Sequence, residues 1–378
     1  MNAKLLSIAA TAAALSLCAT ACDDDDDDKG GTVSVASLDA TASNVGSFAT
    51  YMKLVAKYLV DDATTLCDAW ESASGDYPSG YATYFKSLPA LEAAEQIVDG
   101  CSDIANEVGE AKIGEPIDKW SAGNKTQAVL AVESWYSWHS RDDYRNNIAS
   151  IRNSYFGTTD GTVGSKSLSA AVKKANAELD AKVVAAIEKA ADAIYAIPQP
   201  FRNNIASSEA LAAKTACGEL YDILRGNLKK ALESIDTQEL KEVVANYVDV
   251  VVLPTYANLK AKNTALKAAV DAFAASPSDK GFEACAAAWL AARQPWETSE
   301  AFLFGPVADK GLDPNMDSWP LDQNGIENIL TSGRWDNLDW SGDFDEESES
   351  IAAAQSLRGY HTLEFLTFKD GNPRTIVK

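Results

Sequence analysis

From Val45 onward, apolar side chains recur at helical spacing. Phe48, Met52, Leu54, Val55, Tyr58 and Leu59 form one set, and Leu91, Ala94, Ile97, Val98 and Ile104 another; spacings of three and four line one face of a helix. Residues 168–196 are the most alanine-rich run and predict one long helix, because alanine loses no side-chain entropy in that conformation. Ser207-Ser208-Glu209-Ala210 predicts a serine-capped helix start. Thr237-Gln238-Glu239-Leu240 opens the next helix, which runs toward Pro254, and 255–275 and 277–293 add two more. Only the apolar run 248–253 reads as strand-like, and no alternating partner bounded by hairpin turns accompanies it. The expectation is an all-α fold of antiparallel bundles. Residues 156–165 are Gly/Thr-rich and predict a break. A longer loop is expected at 305–322, which holds Pro306, Pro314, Trp319 and Pro320; so long an irregular stretch inside a bundle is usually functional. The acidic stretch 337–349 reads as a solvated link. The hexapeptide Arg-Asn-Asn-Ile-Ala-Ser occurs at 145–150 and 202–207, in dissimilar surroundings that mark it as coincidence.

The N-terminus reads differently. Residues 1–21 hold Lys4, an apolar core at 5–17 and Ala19-Thr20-Ala21 before Cys22, an address rather than structure. The apolar run is too short to span a bilayer. Small residues directly before a cysteine resemble a bacterial lipoprotein signal, which implies cleavage before Cys22 and lipid attached to it. Leu17 before Cys18 makes that cysteine the poorer acceptor. Residues 22–44 are expected to be a flexible tether, since the aspartates of 23–28 repel one another and bury nothing. An acidic run after a lipidated cysteine also resembles export signals of surface-exposed lipoproteins; a plain spacer is the alternative. The expected location is the cell envelope, at the outer membrane through the lipid and exposed at the surface.

Charge narrows the partners. The chain of 378 residues has 55 acidic against 33 basic side chains, a net −22, which argues against nucleic acid, whose phosphates need Lys and Arg. Such a body attracts cations or simply stays soluble. Cys67, Cys101, Cys217 and Cys285 match no zinc module. They fit either two disulfides in one of three connectivities or four buried small hydrophobes.

The candidate chemistry centres on Gly359-Tyr360-His361-Thr362-Leu363-Glu364. His361 and Glu364 are three apart in a helical context and project together, so they can hold a metal, share a proton or hydrogen-bond each other. Gly359 permits close approach of another backbone or a ligand. Residues 289–306 combine aromatics with Arg293, Ser299 and Glu300, where the simpler role of the last two is to start a helix. Residues 317–322 carry Asp317 and Trp319. A third segment, read as an aromatic-rich helix from Ser134, holds Ser137, His139 and Asp143, then Asn147 and Asn153. Asp143 and Asn147 share a face; pointing inward, they need partners or a ligand. No phosphate loop, dinucleotide fingerprint or serine-based nucleophile array is present.

In combination these segments resemble the imelysin family, which is also catalogued as a peptidase family. The resemblance rests on Gly359-x-His361-x-x-Glu364-Phe365-Leu366, on Arg293, Trp296, Ser299-Glu300-Ala301-Phe302 and Gly305-Pro306, on Trp319-Pro320-Leu321-Asp322, and on Ser137, Asp143, Asn147, Ile151, Asn153 and Gly157. It implies a pair of four-helix bundles, here 45–245 and 246–378, with the site between them. Segment order is circularly permuted relative to the usual one, because the part resembling the family's second half comes first. A ligand or a metal, iron or another divalent cation, is the implied occupant, with His361 and Glu364 at the centre and as the candidate ligands. Arg293, Ser299, Glu300, Asp317 and Trp319 would shape the pocket, and Ser137, Asp143, Asn147 and Asn153 would close it. The implied role is iron uptake with other envelope proteins. A metal-dependent peptidase is the alternative, against which stands the lack of two histidines four apart around a glutamate. A non-catalytic interaction module is the third reading.

Overall fold

Helices make up nearly all the regular structure of residues 37–73 and 77–378, the part of the chain that the computed structural model describes. The fold is all-α; the only strand pairing among these residues is a two-residue hairpin, Phe368–Lys369 with Asn372–Pro373, and an isolated bridge between Thr41 and Val377. Residues 1–21, read above as a leader, Cys22 and the aspartate run lie outside the described residues. No described helix is long and apolar enough to cross a membrane.

The principal helices are α1 (Val45–Glu71), α2 (Ala90–Asn106), α3 (Ser140–Phe156), α4 (Ala177–Ala196), α5 (Ser208–Asp222), α6 (Thr237–Asn246), α7 (Leu253–Ala275), α8 (Asp279–Glu297) and α9 (Tyr360–Thr367). α7 packs against both α1 and α8, and α9 lies against α1 and α8. α2 packs on α3, α5 and α6, while α4 lies on α3 and α5. Thus α1, although it begins the expected first bundle, packs with the later part of the chain. Its buried face, Phe48, Tyr51, Met52, Val55, Leu59, Leu66 and Trp70, covers α7. Each such side chain contributes about 1.5–3 kcal/mol by leaving water. The groups meet where α3 packs on α8 and where α2 meets the turn Glu300–Phe302. At the second contact a Cβ on Gly100 would stand 2.2 Å from the carbonyl oxygen of Ala301, so only glycine admits that approach.

Several local expectations change. The run 168–196 is broken at Asn176, which leaves helical geometry at φ −153°, ψ 89° and caps α4 by accepting from the Leu179 N–H at 3.1 Å; alanine propensity yields to an asparagine cap. The strand-like run is helical: Tyr247–Val252 forms π-helical turns that continue α6 into α7. Pro254 lies just beyond, with no N–H to donate and a ring that crowds the preceding turn, and wider turns accommodate both. The loop at 305–322 contains two short helices, Pro306–Asp309 and Leu312–Asp317. Residues 37–44, expected within the flexible tether, are held in place. Ala40 is buried, Val377 N–H donates to its carbonyl at 2.8 Å, and Lys369 pairs with Asp39 at 2.5 Å. All four cysteines of the body are free and buried, and burial pushes the thiols of Cys101, Cys217 and Cys285 up to about 12.

A buried histidine–carboxylate–arginine cluster

The motif is positioned by its glycine. Gly359 has φ 93° and ψ −171°, a region essentially reserved for glycine, and a Cβ there would lie 2.5 Å from the Met316 carbonyl oxygen. The chain therefore turns against the helix bearing Asp317 and enters α9. Tyr360 anchors that entry, its hydroxyl donating to Asn263 Oδ1 at 2.6 Å, while the Trp289 indole donates to its carbonyl at 2.9 Å.

At the second position of α9, His361 is wholly buried. Its Nδ1 lies 3.1 Å from Glu364 Oε2, and its Nε2 lies 3.2 Å from Asp317 Oδ1 and 3.3 Å from Glu133 Oε1. Glu364 is also buried, and its other oxygen accepts from the backbone and the hydroxyl of Ser137, both at 2.8 Å. Trp319 stands edge-on to the imidazole, ring centroids 4.7 Å apart. The histidine is thus gripped from both sides by carboxylates.

Arg293, on α8 and fully buried, binds two of these acids and two others. It pairs with Glu133 at 2.6 Å, Glu297 at 2.5 Å and Asp143 at 3.3 Å, and it also pairs with Asp317. Asp317 further accepts from the Trp296 indole at 2.6 Å, Asp143 from Ser134 Oγ at 2.6 Å, and Glu297 from Asn147 at 2.5 Å. Asp143 and Asn147 do face inward and find these partners. Lys112, on the π-helical stretch Glu107–Gly114 that continues α2, reaches Glu133 at 3.1 Å and Glu300 at 3.9 Å.

These contacts divide the acids into two kinds. Burial alone would raise every carboxyl. Against it, Lys112, His361 and Arg293 hold Glu133 down to about 2, and Arg293 with His361 holds Asp317 well below the carboxylate range. Burial wins at Glu297 and Glu300, both pushed well up, and with Asp317 nearby it brings Asp313 to about 7. His361 is held well above the usual imidazole value: burial and Arg293 oppose its charge, but Asp317 and Glu133 outweigh them.

The sequence pattern brings together His361, Glu364, Arg293, Asp317, Trp319, Ser137, Asp143 and Asn147, with Glu300 at the edge through Lys112. Ser299 supports the site rather than facing it, its buried hydroxyl donating to the Trp296 carbonyl at 2.6 Å. Asn153 lines a different cavity, with Arg152. His139 reaches only the rim, 3.6 Å from Asp143. Glu133 and Lys112 were not singled out by sequence. Glu133 immediately precedes the aromatic segment, which is not a helix there: Ser134 and Trp138 have φ of 53° and 62°, and α3 begins only at Ser140. Such strained turns are maintained where surrounding contacts over-determine them.

A cavity of about 330 Å³ adjoins the cluster, with Glu107, Lys112, Glu133, Glu300, Asp317 and Trp319 in its wall. A larger one, about 760 Å³, lies elsewhere, between Asp62, Arg358 and Trp340. It touches no part of the His361 cluster, and Arg358 and Asp62 already pair there at 3.2 Å. One oxygen or nitrogen from each of Glu133, Asp317 and His361 lie within 4.8 Å of one another, as do oxygens of Glu297, Glu300 and Asp317. An imidazole with two carboxylates is a donor set suited to iron, zinc or manganese. Nδ1–H given to Glu364 would leave the Nε2 lone pair facing Glu133 and Asp317, the usual way an outer carboxylate orients a metal-binding histidine.

Known proteins are similar to this chain. A crystal structure of an imelysin peptidase from Bacteroides ovatus superposes with a TM-score of 0.87 at 52% identity, covering 90% of this chain and 99% of that one. Iron-regulated protein A from Synechococcus elongatus is 31% identical over 132 residues, 35% of this chain and 33% of that protein, so the chain spans about a third of the length of that curated relative. The imelysin family model matches residues 25–227 and 252–377. With matches over most of its length and the Gly-x-His-x-x-Glu turn built into a buried cluster, the chain belongs to the imelysin family.

Proposed function

We propose that the protein binds a divalent cation at Glu133, Asp317 and His361 and serves iron acquisition at the cell envelope. The observation that carries this reading is the convergence of His361 Nε2 with carboxylate oxygens of Glu133 and Asp317 inside an enclosed acidic cluster. Glu133, Asp143, Glu297, Glu300, Asp317 and Glu364 surround Arg293, Lys112 and His361. Buried carboxylates in excess of their counter-ions take up protons or a cation. Glu364 is given an orienting role rather than a ligating one, because its oxygens are taken by His361 and Ser137. Arg293 keeps Glu133 and Asp317 ionised and aimed at Nε2. Asp313 and Glu107, at the wall of the adjoining cavity, extend the negative field toward the entrance.

Iron is the proposed cargo, a choice supported by the name of the Synechococcus elongatus relative. In this reading Cys22 carries lipid, the aspartate run spaces the body from the outer membrane, and envelope uptake proteins receive the cation. The body is read as two helical bundles in an order permuted relative to the family's usual one. A peptidase reading is less well supported, since both oxygens of Glu364 are already engaged, by His361 and by Ser137.

Metal content and affinity of the purified protein, beside His361→Ala, Glu133→Gln and Asp317→Asn, test the proposal. One iron or zinc per chain, lost in all three variants with helical content unchanged, is expected. No metal above background in the unsubstituted protein would end the ligation hypothesis.

A further inference from the structure

Asn153, which the cluster leaves aside, belongs to a second cavity of about 320 Å³ between α3, α7 and α8. Its wall carries four side-chain amides (Asn146, Asn153, Asn258 and Gln294), three threonines and Arg152, and no carboxylate. In a chain with 55 acidic residues that composition stands apart. The cavity lies behind the cation cluster: Asn146, Gln294 and Thr298 line it, while their neighbours Asn147, Arg293 and Glu297 face the cluster.

The lining is short of anionic groups. Among the described residues no carboxylate lies within ion-pair distance of Arg152; its Nη2 donates to Asn153 Oδ1 at 3.1 Å, and its buried Nε has no partner. Burial and the neighbouring Arg145 hold its pKa below the usual guanidinium value, against the weaker opposing pull of Asp160. The side-chain amides of Asn146, Asn258 and Gln294 make no hydrogen bond with other described residues; Asn258 and Gln294 are exposed and Asn146 is half-buried, so all three are open to a ligand. Thr255 and Thr298 donate to backbone carbonyls at 2.7 and 3.0 Å, which leaves their hydroxyl oxygens to accept. A guanidinium lacking a counter-ion recognises a carboxylate, and surrounding amides and hydroxyls suit a ligand with several hydroxyls. The volume lies at the lower end of small-molecule sites.

We infer that this cavity is a binding site for a small hydroxylated carboxylate of monosaccharide size, with Arg152 taking the carboxylate and Asn146, Asn258 and Gln294 the hydroxyls. The site is distinct from the cation cluster and does not depend on it. Calorimetric titration of the purified protein with sodium glucuronate, in chelator-containing buffer, tests it. The expected result is one saturable site for glucuronate and markedly weaker binding of glucose. Arg152→Gln should weaken glucuronate roughly tenfold, the loss of one charge-assisted contact, and Asn258→Ala several-fold, both with Tm retained. Methyl glucuronide, blocked at the anomeric oxygen as at a glycan terminus, separates a chain-terminal uronate from a free one. Absence of saturable binding by glucuronate, gluconate and citrate at millimolar concentration would overturn the inference. So would glucuronate affinity unchanged in a folded Arg152→Gln protein.

Discussion

Glu364 stands one helical turn beyond His361 and holds its Nδ1 at 3.1 Å, so that Nε2 is turned toward Glu133 and Asp317. The pair is an orienting device more than a ligand pair. Glu364→Gln keeps the volume and the Ser137 contacts but weakens the hold on the imidazole. Metal affinity should then fall by about 10–100-fold, whereas His361→Ala should abolish binding. Equilibrium dialysis separates the two; equal, complete loss in both would instead make Glu364 a ligand.

Arg293 is a fully buried counter-charge paired with four acids, Glu133, Asp143, Glu297 and Asp317. Removing one member of a buried ionic network leaves the others unpaired in a low-dielectric interior. Arg293→Leu should destabilise the fold by about 3–5 kcal/mol, read from urea unfolding. A loss below about 1 kcal/mol would mean that the acids simply protonate and tolerate the change.

Stability should depend on pH in a sense opposite to ordinary acid denaturation. Asp313 titrates near 7 and Asp62 near 6 in the folded protein, both raised chiefly by burial. Folded chains then hold more protons than unfolded ones between the ordinary carboxylate range and about 7, so stability falls as pH rises through that window. Glu133, depressed to about 2, acts the other way: its contribution is present above the usual glutamate value and disappears as pH falls through about 2. In the presence of a chelator, Tm should therefore be higher at mildly acidic than at neutral pH, and Asp313→Asn should flatten the profile. A Tm that rises steadily toward neutrality would contradict these assignments.

Gly359→Ala places a methyl group 2.5 Å from the Met316 carbonyl oxygen and forces a side chain into φ 93°. A cost of about 2 kcal/mol or more is expected, together with loss of metal binding, because the same turn sets α9 against Asp317. Thermal unfolding and metal content measure both; a stable variant with normal binding would show that the turn relaxes.

Reduction should leave the body unaffected. Cys67, Cys101, Cys217 and Cys285 are free and buried, so Tm with and without dithiothreitol should coincide. A drop on reduction would reveal a bridge.

The all-helical class and the His361–Glu364 pair were legible in the sequence, because both depend on local periodicity: apolar residues three and four apart make a buried face, and residues three apart meet across one turn. Asp143 with Asn147 was legible for the same reason. Glu133 was not, since it approaches His361 from 228 positions away, on an irregular turn whose positive-φ residues carry no glycine signal. Lys112 sits in a π-helical stretch, where helical spacing no longer says which way a side chain faces. Asn153 shares a segment with Asn147, but six positions along a helix turn it to another face and into another cavity. Local pattern thus determined which segments are helices and which residues pair within a turn. Only tertiary packing decided which acids meet the histidine, which of them keep their protons, and which polar residues line a separate site, because burial and charge pairing depend on neighbours that the linear order does not bring together.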